Sequence, residues 1–477
     1  MNKEFDAEIV GSGPNGLAAA VVLARAGLRV RVSESSTVLG GGMKTLPLGP
    51  YDLLHDTCSA VHPQALNSEF FRRFGIDSRV DWITPDVSFA HAVTPEKSIL
   101  LHRNIHSMKG SLNSDANKYS RRILGLLKSQ EDLGDATLGG PTRLLQHPVI
   151  LAQLGLGGLL AAADRDNDSV SALFAGLISH CGQQRSLAAS VAAIALGASA
   201  HLGGWPIPRG GSSTIAQAMI DDIERHGGVF RLNHPVKNLD EIRAPIKILN
   251  MHPFQANSLL TGRVPDRNLR NFRKYKPGMS VLKVDYVLKA PVPWSDPALS
   301  STPTLHLGGS AAQIRRAEAD PGKGNISELP MVIAAQPTLF DNSRSKSGLH
   351  TLWAYCHVPQ GTGPGAVAKI TAQIERFAPN FKKVVIDQYT TTPYTFNSHN
   401  ANYVGGDILA GAVNMRQLLA RPQFGMNPWR TPLKGVWLAS ASVAPGPSVH
   451  GMSGYLAALD ALDAVYGIDI PPDLSPV

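Results

Sequence analysis

Cysteine is scarce: Cys58, Cys181 and Cys356 are all that 477 residues contain, and no two are spaced as C-x-x-C. That odd, scattered set excludes a disulfide framework and a redox-active dithiol pair, and fits reduced thiols in a cytosolic setting. Charged residues make up only 17% against 43% hydrophobic, which allows a large buried core. The net charge of +8 does not come with an aromatic-interleaved basic motif, so no nucleic-acid partner is expected. The one dense basic cluster, RNLRNFRKYK from Arg267 to Lys276, reads first as a solvated face and second as a surface for phosphate or anionic lipid. No metal-ligand spacing occurs, and no metal site is expected. The start MNKEFDAEIVGSG mixes acids into its first residues without an apolar run, which predicts no secretory signal. Long oily runs are few. Residues 186–208, SLAASVAAIALGASAHLGGWPIP, have the length of a membrane span but are rich in Ala, Ser and Gly, and read as a buried small-residue helix. VILAQLGLGGLLAAAD, Val149 to Asp164, is shorter and more apolar: a core helix, a lid, or a surface helix that dips into lipid. The expectation is a cytoplasmic protein with a peripheral membrane contact as an option.

What is present begins at once. AEIV, then VGSGPNGLAAAVVLARAG from Val10 to Gly27, then LRVRVSE, reads as strand, glycine loop, helix and second strand. Gly11 permits the tight turn, Gly13 admits a diphosphate to the backbone, and Gly16 lets the helix close on the sheet. Pro14 and Asn15 open the helix, whose first N–H groups and dipole suit phosphate. Glu34, followed by Ser35, ends the second strand 18 residues beyond Gly16, where a carboxylate accepts from ribose hydroxyls and repels a 2′-phosphate. Glu8 and Arg31 lie three residues before Gly11 and Glu34 respectively; on neighbouring strands they are predicted to pair, because a lone buried charge is costly.

Beyond Glu34 comes GGGMKT, Gly40 to Thr45, a glycine-rich passage that lets the chain run close to the diphosphate. G-x-G-x-x-G, an acid, then a glycine pair resembles the opening of the FAD-dependent amine oxidase and phytoene desaturase superfamily. The Arg that usually follows the pair is replaced by Gly42, with Met43 next and Lys44 as the alternative phosphate contact. GGSSTIAQAMIDDIERHGGVFRLNHPVKNL, Gly210 to Leu239, resembles the returning helix and strand of that family, in which the position of Val236 meets adenine. GVWLASASVAPGPSVHGMSGYLAALDAL, Gly435 to Leu462, resembles its closing flavin motif, with Ser442 in the loop and Gly451 and Met452 at the start of a helix aimed at the flavin. The acid that usually follows the closing strand is absent; Ser440 and Ser442 stand nearby.

The resemblance implies FAD as cofactor and an α/β fold: a Rossmann-like FAD-binding domain from residues 1–75, 205–260 and 425–470, with an interleaved α+β substrate domain of 76–204 and 261–424 containing a mixed sheet. SVLKVDYVL, Ser280 to Leu288, and GLHTLWAYCHV, Gly348 to Val358, read as strands of that sheet. No second G-x-G-x-x-G follows a strand, so no separate NAD(P)H domain is expected, and oxygen or a quinone is the expected electron acceptor. In the amine oxidases of the superfamily a Lys matching Lys283 holds a water beside the flavin; the alternative is a surface Lys on an alternating strand. His450, beside the closing loop, is the histidine nominated for catalysis, ahead of His55, His62, His357 and His399, each of which reads more simply as structural. Trp353, Tyr355 and Tyr403 are candidate chamber walls. The likeness extends along nearly the whole chain and runs closest to phytoene-dehydrogenase-like proteins. It implies an oxidoreductase that desaturates, saturates or isomerises C–C bonds of a hydrophobic isoprenoid or polyene. A flavin amine oxidase is the alternative; a non-redox prenyl-binding escort on the same fold is a third reading.

Overall fold

The computed structural model describes residues 4–182, 184 and 186–476. The first sheet has five parallel strands in the order Val436–Leu438, Ile246–Leu249, Ala7–Val10, Val30–Ser33, Val229–Arg231. Glu8 stands opposite Arg31 in the register and accepts from its guanidinium at 2.6 Å; Ser33 Oγ gives Glu8 a second bond at 2.7 Å. The predicted pair is therefore made, and the buried carboxylate is not left alone.

The helix Pro14–Arg25 is buried from Asn15 to Ala24, which explains its run of Ala and Gly. Its outer neighbour is the closing helix Met452–Tyr466, where a methyl on Gly454 would collide with the Asn15 carbonyl. Small residues thus bring two helix axes and a loop together in little space. The apolar core here draws mainly on residues between Ala7 and Val80, Ile215 and Phe272, and Trp429 and Leu474, with Leu138 added from elsewhere, so the bulk of it comes from three separate stretches of chain.

The second sheet has seven strands in the order Val385–Thr391, Ser280–Leu288, His350–Val358, Val332–Ala335, Thr304–Leu307, Val87–Thr94, Lys97–His102. It is mixed: Thr304–Leu307 runs parallel to Val87–Thr94, and the other neighbours are antiparallel. Ser280–Leu288 is buried at all nine positions, so its alternation does not mark a solvent face. The helix Val367–Phe377 covers one side, and the segment around Asp56 meets the other through Lys283. A cover of helices, Ala116–Lys128, Pro148–Ala163, Ser169–Ser179 and Leu187–Leu202, stands over this sheet. Leu187–Leu202 is the expected small-residue helix. Among the described residues no single helix is long and apolar enough to cross a membrane.

Candidate active site

At the carboxyl end of Ala7–Val10 the chain turns at Gly11 with φ 97°, where a side chain would meet the Asn250 carbonyl at 2.9 Å. Asn250 follows the neighbouring strand and floors the loop: its Nδ2 donates to the Gly11 carbonyl at 3.1 Å and lies 3.0 Å from where a methyl on Gly13 would sit. A methyl on Gly41 would stand 2.7 Å from the Gly13 Cα, so the two glycine passages touch. Gly13 caps the helix without a side-chain bond and Pro14 follows, so the Asn15 and Gly16 N–H groups have no acceptor within the helix. The Asn15 Oδ1 is buried without a partner. Bare backbone donors, no side chains between them, and an orphaned polar atom fit a dinucleotide diphosphate.

Glu34 is held by Ser12 N (2.8 Å), Ser12 Oγ (2.6 Å), Ser36 N (2.8 Å) and Ser35 Oγ (3.2 Å). The last bond is the longest and comes from an exposed residue, which makes it the one a ribose hydroxyl replaces most easily. The His234 N–H donates to the Glu34 carbonyl at 2.8 Å, which brings the segment holding Val236 beside the acid. Lys44 does not reach into the cavity: its Nζ donates to Ser36 Oγ at 2.9 Å, and burial lowers its pKa although Glu34 opposes the shift. The space left by Gly42 is filled by the Tyr403 hydroxyl, which collides with any side chain built there. Gly40 donates its N–H to Ser12 Oγ at 3.2 Å, and Met43 packs into the first core.

These elements open on a cavity of about 430 Å³. Its walls include Gly13, Pro14, Asn15 and Gly42 from the opening motif, Asn250 from the middle segment, and Ser440, Ala441, Ala444, Pro445, Pro447, Ser448 and Val449 from the closing loop. Three distant stretches of sequence therefore meet around one space. Trp353 and Tyr355 line it as a T-shaped pair with centroids 5.2 Å apart, and Tyr403 joins them. Among the described lining residues only Arg421 carries a formal charge, and its guanidinium donates to the Ala441 and Leu409 carbonyls.

The two residues nominated for catalysis stand behind this wall. Neither Lys283 nor His450 lines the cavity. His450 Nδ1 accepts from Met452 N at 3.0 Å and Nε2 faces the Gly446 carbonyl at 3.1 Å, so both ring nitrogens are used within the closing loop. Burial pushes its pKa down to about 4, and the neutral ring fixes the turn in front of the closing helix. His450 is a positioning residue for that loop. Ser442 likewise turns away, giving its hydroxyl to the Ala410 carbonyl at 2.7 Å, while Met452 accepts from Phe70 N through its sulfur. Gly451, with φ 69°, leaves no room for a side chain beside Phe70 and Ala18. Lys283 is fully buried, donating to Asp285 at 2.7 Å and to the Asp56 carbonyl at 2.9 Å, 5.7 Å from the Trp353 ring. Burial alone would raise the Asp285 carboxyl; Lys283 overrides it and holds the pKa below the ordinary value. This corrects the surface alternative for Lys283: it supports the Trp353 wall from within.

The other histidines follow the structural reading. His62 bonds Ser212 Oγ at 2.9 Å, His55 approaches Asp285, His357 pairs with Glu318 at 2.9 Å, and His399 is exposed at a helix end. Sequence reasoning missed Asn250, His180, Trp205 and Arg421, all in the cavity wall. Only Asn250 had a signal, as a polar residue directly after the buried strand ILN. Cys58 also lines the cavity; it is half-buried, and desolvation pushes its thiol up in pKa. Among the described residues no group of His, Cys, Asp and Glu is arranged to hold a metal.

Residues 15–249 match the family of flavin containing amine oxidoreductases. Over 96% of this chain and 93% of its own length, the rat pyridine nucleotide-disulfide oxidoreductase domain-containing protein 2 is 22% identical. Among solved structures, cyclohexylamine oxidase from Brevibacterium oxydans superposes with a TM-score of 0.60 at 15% identity, covering 96% of this chain and 98% of that one. A redesigned putrescine oxidase gives 0.60 at 16%, covering 97% and 98%, and an oxidoreductase from Methanosarcina mazei 0.61 at 14%, covering 96% and 99%. The diphosphate cradle, the three-part cavity and the family match agree, and the chain is an FAD-dependent oxidoreductase with the flavin amine oxidase fold.

Proposed function

We propose that this enzyme oxidises or reduces carbon–carbon bonds of a neutral, hydrophobic substrate of the isoprenoid or polyene class. The observation that carries the reading is the chamber lining, which among the described residues holds no carboxylate and is dominated by Ala, Leu, Val, Pro and aromatic side chains. FAD, when bound, supplies the two-electron chemistry. The chain's own part is to hold it along Gly11, Gly13, Asn15, Glu34, Gly41 and the closing loop, and to keep water out with Trp353, Tyr355 and the helical cover. Oxygen or a quinone closes the cycle in this reading. Among the described lining residues there is no carboxylate, and the one histidine, His180, is kept neutral by burial, which lowers its pKa to about 4, while its Nε2 faces His306 at 2.9 Å; placement of the substrate against the cofactor is then the protein's main contribution.

Amine oxidation is the second reading, favoured by the Trp353–Tyr355 pair facing the chamber and by relatives that carry amine names. Anaerobic titration of the flavin-loaded enzyme with carotenoids and retinoids on one side and aliphatic amines on the other separates them. Bleaching of the flavin by polyenes alone supports the first reading. Bleaching by amines, with peroxide released in air, replaces it with the second.

A further inference from the structure

Exposed large apolar side chains are not scattered over this molecule. Eleven of the twenty among the described residues fall in two short stretches, Leu145 to Leu160 and Met415 to Met426. Both flank the chamber. The helix Pro148–Ala163 turns Leu154 inward to the cavity while Val149, Leu156 and Leu159 face out, Leu156 with 59% of its surface exposed. On the other side the helix Met415–Leu419 contributes Leu418, which lines the cavity and is itself 46% exposed, so the chamber reaches the surface there; Met415, Leu419 and Phe424 lie beyond it. Between them Val191, Ala192, Ala195 and Leu196 are partly buried lining residues of Leu187–Leu202.

A basic strip adjoins this rim. The Gln417 side chain of the rim helix binds both the N–H and the carbonyl of Lys276, at 2.9 and 3.0 Å, which fixes the end of the Arg267–Lys276 cluster against it. Arg267, Arg270, Lys274, Lys276 and Arg416 are exposed and form no salt bridge among the described residues. At the far end of Pro148–Ala163 the carboxylates of Asp164, Asp166 and Asp168 converge on Lys118 within 3.1 Å, which offsets negative charge there. An uncharged 16-residue helix is about 24 Å long, too short for a bilayer core of about 30 Å, so it suits lying in the interface rather than crossing.

We infer that this rim docks the enzyme on an anionic lipid bilayer, with the outer faces of Pro148–Ala163 and Met415–Leu419 in the headgroup region and the Arg267–Lys276 cluster on anionic headgroups. The chamber then opens toward the lipid. The docking stands on its own surface; delivery of substrate through the opening rests on the apolar-substrate reading above.

The test is co-sedimentation of the full-length flavin-loaded protein with phosphatidylcholine vesicles, with or without phosphatidylglycerol. Binding should appear with phosphatidylglycerol and fall with added salt. Lys274→Gln and Lys276→Gln should each weaken it about fivefold. Met415→Glu with Leu419→Glu, and separately Leu156→Glu with Leu159→Glu, should abolish it while flavin content and melting temperature hold. If the glutamate pairs misfold, the two glutamine variants still decide the outcome. Protein that stays in solution with phosphatidylglycerol vesicles at low salt overturns the inference, as does binding that none of the four changes alters. A dimer in sedimentation velocity that falls apart on Met415→Glu with Leu419→Glu also overturns it, in favour of a self-association face. Vesicle binding by an enzyme whose flavin responds only to amines would keep the docking and discard the apolar substrate.

Discussion

The same glycine-to-alanine change should stabilise at one place in this fold and destabilise, to different extents, at two others, and the contrast isolates what Gly451 does. Gly155 lies inside Pro148–Ala163 with nothing within 4 Å of an added methyl, so alanine should gain its helix propensity, about 1 kcal/mol. Gly467 ends the closing helix at φ 67°, again with open space around it; alanine there meets only the left-handed penalty, about 1–2 kcal/mol. Gly451 begins the same helix at φ 69°, and its methyl would stand 2.6 Å from Phe70 Cδ1 and 2.9 Å from the Ala18 Cβ. Both neighbours are buried ring or backbone-bound atoms that cannot swing aside, so overpacking adds about 1–3 kcal/mol and the total is about 2–5 kcal/mol. The closing helix must then shift away from Pro14–Arg25, which opens the flavin cradle. Urea unfolding of the three variants, with flavin absorbance per chain on the purified proteins, reads both effects. Gly155→Ala should be more stable than wild type, Gly467→Ala modestly less, and Gly451→Ala the least stable and depleted in flavin. A Gly451→Ala protein no weaker than Gly467→Ala, with full flavin, would refute the close contact and with it the placement of the closing helix.

Acid should unfold the protein early. Burial lowers His62, His91 and His450 from 6.5 to about 4, so the unfolded chain binds more protons between those values; stability is whole above about pH 6.5 and is lost as pH falls toward 4. At pH 5 the loss is about 2 kcal/mol per ring, or about 6 kcal/mol together, set against a typical total of about 5–15 kcal/mol; urea midpoints that stay flat from pH 8 to 5 would contradict it. Arg344→Met removes the buried cation that binds Asp56 at 2.6 Å and Asp341 at 3.0 Å, and should cost about 3–5 kcal/mol in urea unfolding, part of it recovered by Asp56→Asn. Lys283→Met should lose a similar amount, and adding Asp285→Leu should restore much of it; full additivity of the two changes would show that they do not act as a pair.

The opening motif was legible because its information is local. Strand, turn, helix and acid follow each other within 34 residues, and each glycine answers a steric demand of the next few atoms. Glu8 with Arg31 was legible for the same reason: adjacent parallel strands of a known crossover put equal offsets side by side. The strands Ser280–Leu288 and His350–Val358 declared themselves by composition, whereas the burial of both faces of the first did not, since covering elements arrive from elsewhere in the chain.

What the sequence by itself determined is thus the dinucleotide loop and the mixed second sheet. Tertiary structure alone decided that His450 would spend its ring on its own loop, that Lys283 would face Asp285 and Asp56, and that the Tyr403 hydroxyl would take the room left by Gly42. Each of those outcomes turns on the direction of one side chain relative to a segment up to some 360 residues away in the chain. Local periodicity fixes which face of an element a residue occupies, but only the packing of distant elements fixes what waits opposite that face.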